Sequence, residues 1–467
     1  MPAERTAGTL DPRTRELLEG PITRTLLRLG APNVLVMLAQ AAAGLIETYF
    51  VGRLGTDALA GMALVFPMVM LMQMTSAGAM GGGIASAIAR ALGARRRDDA
   101  NALVGHALLI ATLFGLAFML AVIGGGRWLY TAMGGRGTAL EAALAYSGWV
   151  FGGAVLIWWF NALSAIIRGT GHMAMPALVT VLGTVVLVPV SPLLIFGWGT
   201  WPGLGIAGGA VALLGFYAVG SAWLAAWLWA GRSALQPRLR GLVWRTALFT
   251  DILRVGLLGT VSTLSTSLVI VIGTALVGAF GTAAIAGYGT ATRLEYLLVP
   301  LVFGLGAPLI AMVGTCIGAG QRERALRAAW TGAALAFAMT EAIGLSAAAF
   351  PHAWLTLFDH DPAMLAAGSS YLRTVGPLYG FFGLGLVLYF ASQGAGQLRW
   401  PVIGNLCRLG VATAGGLAAV HWGGGLAGVF AAQAVALVVY GAVNLSTIAG
   451  GAWFGPLRWP VMPWRSA

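Results

Sequence analysis

"VGRLGTDALAG", residues 51–61, returns as "VGAFGTAAIAG", residues 277–287, and this repetition decides how the chain is built. The two stretches lie 226 residues apart. Upstream, "LRLG" at 27–30 meets "LRVG" at 253–256 at the same offset, with no gap between the matches. Downstream, "ALGARRRDDA" at 91–100 meets "CIGAGQRERA" at 316–325, and "RGTGHMAMP" at 168–176 meets "QGAGQLRWP" at 393–401, both at an offset of 225. "GIAG" at 205–208 and "GLAG" at 425–428 close the series at 220. Matches in one order at nearly one offset over some 180 residues mark two homologous halves.

Composition says what medium the halves occupy. The chain is 58% hydrophobic and 9% charged over 467 residues, with a mean hydropathy of +0.85. So few charges cannot clothe a water-facing surface of that size. Apolar runs of about twenty residues or more cross a hydrocarbon core of roughly 30 Å. Twelve such runs occur, near 25–51, 58–92, 103–123, 139–165, 175–197, 205–229, 249–279, 284–316, 328–350, 366–392, 401–421 and 426–449. The 69 glycines suit close packing of membrane helices. The expected fold is an all-α polytopic membrane protein with twelve transmembrane helices in two parallel six-helix repeats.

The 27 basic residues are all arginine, and they sort by side. Beginning with the N-terminal tail, every second connection is basic, which collects 22 of them. Arg53, Arg127, Arg136 and Arg373 fall on the other side. The positive-inside rule then places both termini in the cytoplasm of a plasma membrane, with an even number of spans. A net charge of +12 would raise nucleic acid as a partner of a soluble protein. Here topology accounts for the arginines, and the expected partners are the lipid bilayer and a small organic substrate. The N-terminus lacks an apolar signal core. It reads as a cytoplasmic tail holding a helix along the membrane surface. Cys316 and Cys407 read as small buried hydrophobes. No metal-ligand spacing, phosphate-binding loop or catalytic motif appears, so an enzyme is not expected and no cofactor is needed beyond a coupling ion.

Six is even, so both halves enter the membrane from the same side and are related by an axis along its normal. The expected division is a tail at 1–24, a first lobe at 25–231, a linker at 232–248, a second lobe at 249–450 and a tail at 451–467. Transporters of this plan hold substrate between the lobes and rock one against the other. A two-lobed monomer already contains the whole pathway.

These motifs carry a resemblance. "ETYFVGRLGTDALAGMALVFP", "IARALGARRRDDA", "VGTCIGAGQRERA" and the "RGTGHMAMP"/"QGAGQLRWP" pair are similar to signatures of the multidrug and toxic compound extrusion (MATE) family, over residues 22 to 450. The resemblance implies an exporter that exchanges protons or sodium for organic, often cationic amphipathic, compounds. It also implies a carboxylate in the first span, where this chain has Glu47 in place of the family's aspartate. The family's fifth span often reads like "NIVLDPLLIFG"; this chain has "LVPVSPLLIFG", with Leu187 and Ser191 replacing the asparagine and aspartate. Fewer oxygen ligands favour the proton over sodium as the coupling ion. In the repeat, Glu47 falls opposite Gly273, so the second lobe has no copy of it.

A charge within a bilayer costs about 2.5–3.5 kcal/mol on insertion scales, so such a residue is retained for a use. On the first span Asn33, Gln40, Gly44 and Glu47 share one helical face, which suits the wall of a wet cavity. Glu47 and Gln40 are the expected ion-coupling residues, and Asn33 a substrate contact. On the eighth span Tyr288, Thr292 and Glu295 share a face, and Arg293 points some 200° from Glu295. These four, with Trp158 and Asn161 of the fourth span, are the expected substrate-binding residues. Pro300 is expected to bend the eighth span. Glu341 reads as a carboxylate with an interhelical polar partner.

Glu47 is expected to work as a proton carrier. Burial penalises its charged form, so protonation from outside lets the first helix repack and displace substrate. Two other readings stand beside the antiporter. A flippase for lipid-linked pyrophosphates needs a cluster of cavity cations, with Arg293 and Arg168 the candidates. A passive channel or membrane scaffold would tolerate Glu47→Ala.

Overall fold

The computed structural model describes residues 11–199, 202–238 and 243–454, and it is helical almost throughout. Short α1 (Pro12–Glu19) precedes α2 (Ile22–Gly52), α3 (Thr56–Gln73), a π-helical stretch (Met74–Met80), α4 (Gly81–Gly93) and α5 (Arg97–Ala132). Then come α6 (Gly137–Gly152), α7 (Ala154–Gly169), α8 (Ala174–Phe196) and α9 (Ile206–Trp229). The second half holds α10 (Thr246–Gly278), α11 (Thr282–Gly318), α12 (Arg322–Ala349), the short α13 (Pro351–Leu355), α14 (Pro362–Val375), α15 (Tyr379–Ala395), α16 (Arg399–His421) and α17 (Gly425–Ala449). Among the described residues, eleven helical stretches are long and apolar enough to span a membrane, and α6 with α7, bent by 47°, completes twelve. All twelve fall where the hydropathy places them.

The repeat is visible in the backbone. The glycine closing each quoted motif's turn, Gly55 and Gly281, takes φ of 117° and 101°. A side chain is strained there, so both halves keep glycine at the turn into their second span. The next turn repeats too: Arg95 and Gly320 both have positive φ, at 58° and 75°. α11 runs unbroken through Pro300 and Pro308, as long membrane helices can when neighbours satisfy the freed carbonyls.

The first half packs α2 on α8, α3 on α6 and α5 on α7, and the second packs α16 on α17, α12 on α15 and α11 on α14. The halves meet through α2, α4, the π-helical stretch, α10, α11 and α15. The meeting is tightest at the arginine-rich end. A Cβ on Gly93 would lie 2.1 Å from the Thr315 carbonyl oxygen, and one on Gly318 equally close to that of Arg90. Arg90 crosses this seam: its guanidinium donates to Asp251 Oδ1 of α10 at 2.6 Å, to Ser86 Oγ at 2.9 Å and to the Gly394 carbonyl at 3.1 Å. Gln393 Nε2 reaches from α15 to the Gly78 and Ala79 carbonyls of the π-helical stretch, both at 3.2 Å.

α1 begins at the Asp11 carboxylate, which accepts from the Arg13 and Thr14 amides, and Pro12 opens its first turn. It does not lie apart from the bundle. Leu17 and Leu18 are buried, and Arg324 donates to the Leu17 carbonyl at 3.1 Å and to that of Gly20, satisfying the helix's C-terminal acceptors. Leu17 also packs against Gly171 in the turn between α7 and α8. The helix therefore touches both halves at the sealed end. Residues 1–10 and 455–467, including Arg458 and Arg465, lie outside the described residues.

Candidate functional site

Two facing stripes run away from the seam. On α2, Gly30 and Val34 meet Gly304 of α11. Further along the same α2 face come Leu38, Ala41, Leu45 and Thr48, at steps of three and four residues. All four are exposed, Leu38 by 56% and Leu45 by 74%. On α11 the face of Gly304 continues through Leu297, Arg293, Ala286 and Thr282, and these are exposed as well. Gly44 and Gly289, beside these lines, have nothing within 4 Å of where a Cβ would stand. Two helices in contact at one end and bare on the same faces at the other enclose a cleft. It closes at the arginine-rich seam and opens at the opposite end.

Glu47 does not look into that cleft. It sits roughly 100° around α2 from the Gly30 line, at about 100° per residue. It is 9% exposed, between α2, α6 and α9. Tyr146 Oη donates to its Oε1 at 3.2 Å, and a Cβ on Gly209 would stand 3.1 Å from the same oxygen. A small residue at 209 is what leaves room for the carboxylate. Nearby, Gln73 Nε2 donates to Tyr217 Oη, while Asn161 Nδ2 donates to Gln73 Oε1 at 3.1 Å and to Ser76 Oγ at 2.8 Å. Gln73 precedes the π-helical stretch and Ser76 lies within it, a backbone irregularity found often at working sites. The first lobe thus holds a buried polar core of one carboxylate, two phenols, two carboxamides and a hydroxyl.

The other candidates of the first lobe divide. Gln40 is exposed on the Glu47 face. Asn33 is buried and donates to the Leu29 carbonyl of its own helix at 3.1 Å. Trp158 is 1% exposed and stacks on Phe114, with ring centroids 5.4 Å apart, inside the lobe. Asn161 belongs to the polar core just described. Leu187 is buried on α8, which packs on α2. Ser191, on the same helix, has a buried Oγ without a hydrogen-bond partner among the described residues.

The second lobe answers with a different construction. Tyr371 of α14 donates to Glu295 Oε1. Tyr371 lies 225 residues after Tyr146, the offset of the middle repeat motifs. Each lobe therefore presents the same tyrosine to a carboxylate, but the carboxylates come from different helices. At Gly273, the counterpart of Glu47, a Cβ would lie 2.6 Å from Tyr288 Oη and 2.9 Å from Gln433 Nε2, so those groups fill the place. Glu295 instead reaches in from α11, with Arg408 and Tyr379 as electrostatic neighbours. Arg408 lies over the Phe382 and Tyr440 rings, at 5.5 Å and 5.7 Å. Thr292 donates to the Tyr288 carbonyl, 3.0 Å away on its own helix. Arg293 points the other way, exposed on the cleft line, with the Phe358 ring 5.4 Å from its guanidinium carbon. Glu341 serves its own neighbourhood, where its Oε2 accepts from the Gly380 amide at 2.7 Å, in the first turn of α15.

Sequence reasoning missed Tyr146, Tyr217, Gln73, Tyr371 and Arg408. The first and fourth were within reach, because the repeat aligns them. The others follow no spacing rule, since partners on separate helices meet only through packing.

Two six-helix lobes sealed at one end and parted at the other, each holding one carboxylate against a tyrosine, define a membrane transporter. Comparison with known proteins gives the family. The MatE family description matches residues 32–193 and 260–416, once in each half, and the chain belongs to that family. It is 30% identical over 413 residues to a probable multidrug resistance protein NorM of Deinococcus radiodurans, covering 82% of this chain and 85% of the relative. It is 26% identical over 407 residues to a FAD transporter of Shewanella oneidensis, covering 84% and 87%. A solved structure described as the outward-facing conformation of a multidrug resistance MATE family transporter superposes with a TM-score of 0.84, at 26% identity, covering 94% of this chain and 97% of that one.

Proposed function

We propose that this protein is a proton-coupled antiporter that exports amphipathic organic compounds across a bacterial inner membrane as a monomer, with Glu47 as the coupling carboxylate. The observation that carries the reading is the position of Glu47. It is the one charged residue of 31–52, it is buried in the first lobe, and it stands on the helix whose other face lines the cleft. The positive-inside rule puts the sealed, arginine-rich end in the cytoplasm with both termini, so the cleft faces outward. A proton entering from outside neutralises Glu47 and removes the penalty on its burial. α2 then packs more closely on α6 and α9, and cargo leaves the cleft. In the inward-facing form the proton escapes to the cytoplasm. One charge moving through 100 mV supplies about 2.3 kcal/mol, roughly a fifty-fold concentration ratio.

Sodium is the second reading, and the unpartnered Ser191 hydroxyl favours it as one neutral oxygen ligand. A sodium site wants several oxygens, as the carbonyl-lined sites of other transporters supply. Tyr146 is the side-chain donor on Glu47, and Leu187 contributes no oxygen. The flippase reading loses support, because Arg168 lies beside Gly81 of α4, near the seam and away from Arg293.

The test uses proteoliposomes with a pH-sensitive dye inside and amphipathic dyes of either charge outside. Cargo-triggered proton movement is expected in wild type and not in Glu47→Gln, which expresses and binds normally. Equal movement in both variants overturns the assignment of Glu47. Movement driven by sodium alone replaces the ion and keeps the antiporter.

A further inference from the structure

The helical segments that run from the seam toward the open end of each lobe carry very little charge. Residues 31–52, 58–80, 257–278 and 282–304 contain three charged side chains, Glu47, Arg293 and Glu295. Glu47 is buried in the first lobe against Tyr146. Glu295 turns into the second lobe, where Tyr371 donates to it and Arg408 acts on it. Arg293 alone of the three is exposed, and it stands on the line that continues from Gly304. No carboxylate pairs with it among the described residues, and its neighbour is the face of Phe358, itself 44% exposed. The rest of its stripe, Thr282, Ala286 and Leu297, is uncharged, and so is the facing stripe of Leu38, Ala41, Leu45 and Thr48.

We propose that Arg293 is the charge-reading residue of the cleft, so that the preferred cargo is an amphipathic aromatic compound bearing an anionic group. This deepens the exporter reading and rests on it. It also reverses the sign of cargo implied by resemblance to the family.

The physical reason has three parts. A guanidinium within a span is costly unless it meets water, an aromatic face or an anion. The cleft supplies water and Phe358 supplies the face, which leaves the in-plane N–H donors of the fork free for a carboxylate or phosphate. Walls of low dielectric, with no other exposed charge in those four segments, strengthen that attraction. A cation in the same cleft would meet repulsion from Arg293. Glu47 and Glu295 turn into the lobes and already accept hydrogen bonds from tyrosines, and Asp359 and Asp361, exposed beside Phe358, accept backbone amides and form no ion pair with Arg293 among the described residues. Leu297, Leu38 and Leu45 offer apolar surface for the body of the compound.

The same side chain has a competing structural role: holding the 356–361 connection by its cation–π contact with Phe358. The experiment separates the two. The full-length protein in nanodiscs is titrated with fluorescein, an anionic xanthene, and with rhodamine 6G, its cationic counterpart, and binding is read by fluorescence polarisation. Wild type is expected to bind fluorescein more tightly. Arg293→Gln is expected to weaken fluorescein at least about tenfold and to leave rhodamine 6G unchanged or tighter. Arg293→Lys is expected to retain most of the fluorescein affinity, and Phe358→Leu to retain the preference for the anion. Tighter binding of rhodamine 6G by wild type, no saturable binding of fluorescein, or unchanged fluorescein affinity in Arg293→Gln overturns the proposal. So does loss of the preference in Phe358→Leu, which would mark the contact as structural. Binding is measured without any ion gradient, so failure of the antiporter reading in proteoliposomes leaves this result interpretable.

Discussion

Asp251→Asn should loosen the sealed end of the transporter. Arg90 is the tie across the seam, with its side chain only 12% exposed, and Asp251 on the opposite lobe is 43% exposed. Removing one partner of a fully buried pair costs about 3–5 kcal/mol, because the other charge is left uncompensated. Two facts reduce that figure here. Asp251 is partly in water, so solvent screens the attraction. Asparagine also keeps an oxygen that can accept from Arg90, and the bonds to Ser86 Oγ and the Gly394 carbonyl remain. The charge component lost is about 1.5 kcal/mol, roughly a tenfold change in the ratio of sealed to open forms. Nitroxide labels on Asp98 and Gln321, exposed on opposite lobes at this end, report the ratio by double electron–electron resonance once Cys316 and Cys407 are replaced. The long-distance population should rise about tenfold relative to the short one. An unchanged ratio, or a shift toward the short distance, would refute the argument that this pair holds the seam.

Gly93→Ala should open the same end, since its Cβ would stand 2.1 Å from a backbone oxygen of the other lobe, whereas Gly44→Ala should be silent because its Cβ meets nothing within 4 Å. The same label pair measures both, and equal behaviour of the two variants would contradict the seam and the cleft together. The docking of α1 should depend on pH through His172, which lies between α7 and α8. Burial holds its imidazole below its ordinary value, the Arg13 guanidinium adds to this, and Asp11 opposes it. The docked state therefore favours neutral His172: docking is at full strength above about pH 6.5 and is lost as pH falls through the depressed value. Hydrogen exchange of Pro12–Glu19, corrected for intrinsic rate, should quicken from pH 7.5 to 5.5 in wild type and stay level in His172→Asn; a level wild type counts against it.

The order of the fold was legible in the sequence because the bilayer imposes it. A spanning helix needs a minimum apolar length whatever its neighbours are, so twelve runs and a basic end could be read from composition alone. The repeat was legible because glycine at Gly55 and Gly281 answers a local backbone need. Glu47 was conspicuous because a charge in a span is costly wherever it points. Where it points is another matter. The helical face of Asn33, Gln40 and Glu47 suggested a cavity wall, yet two of the three are buried within the lobe and one is exposed. Helical periodicity says which residues lie together, and only the packing of α6 and α9 against α2 says what that face meets. Likewise Tyr146 and Tyr371 have one place in the repeat but receive carboxylates from α2 and α11. Arg293 and Glu295 are two residues apart in the chain, yet one faces the cleft and the other a lobe interior. The sequence determined the spans, their duplication and the scarcity of charge; the tertiary structure decided which of those few charges is exposed, because burial is set by which helices close around a side chain and not by the side chain itself.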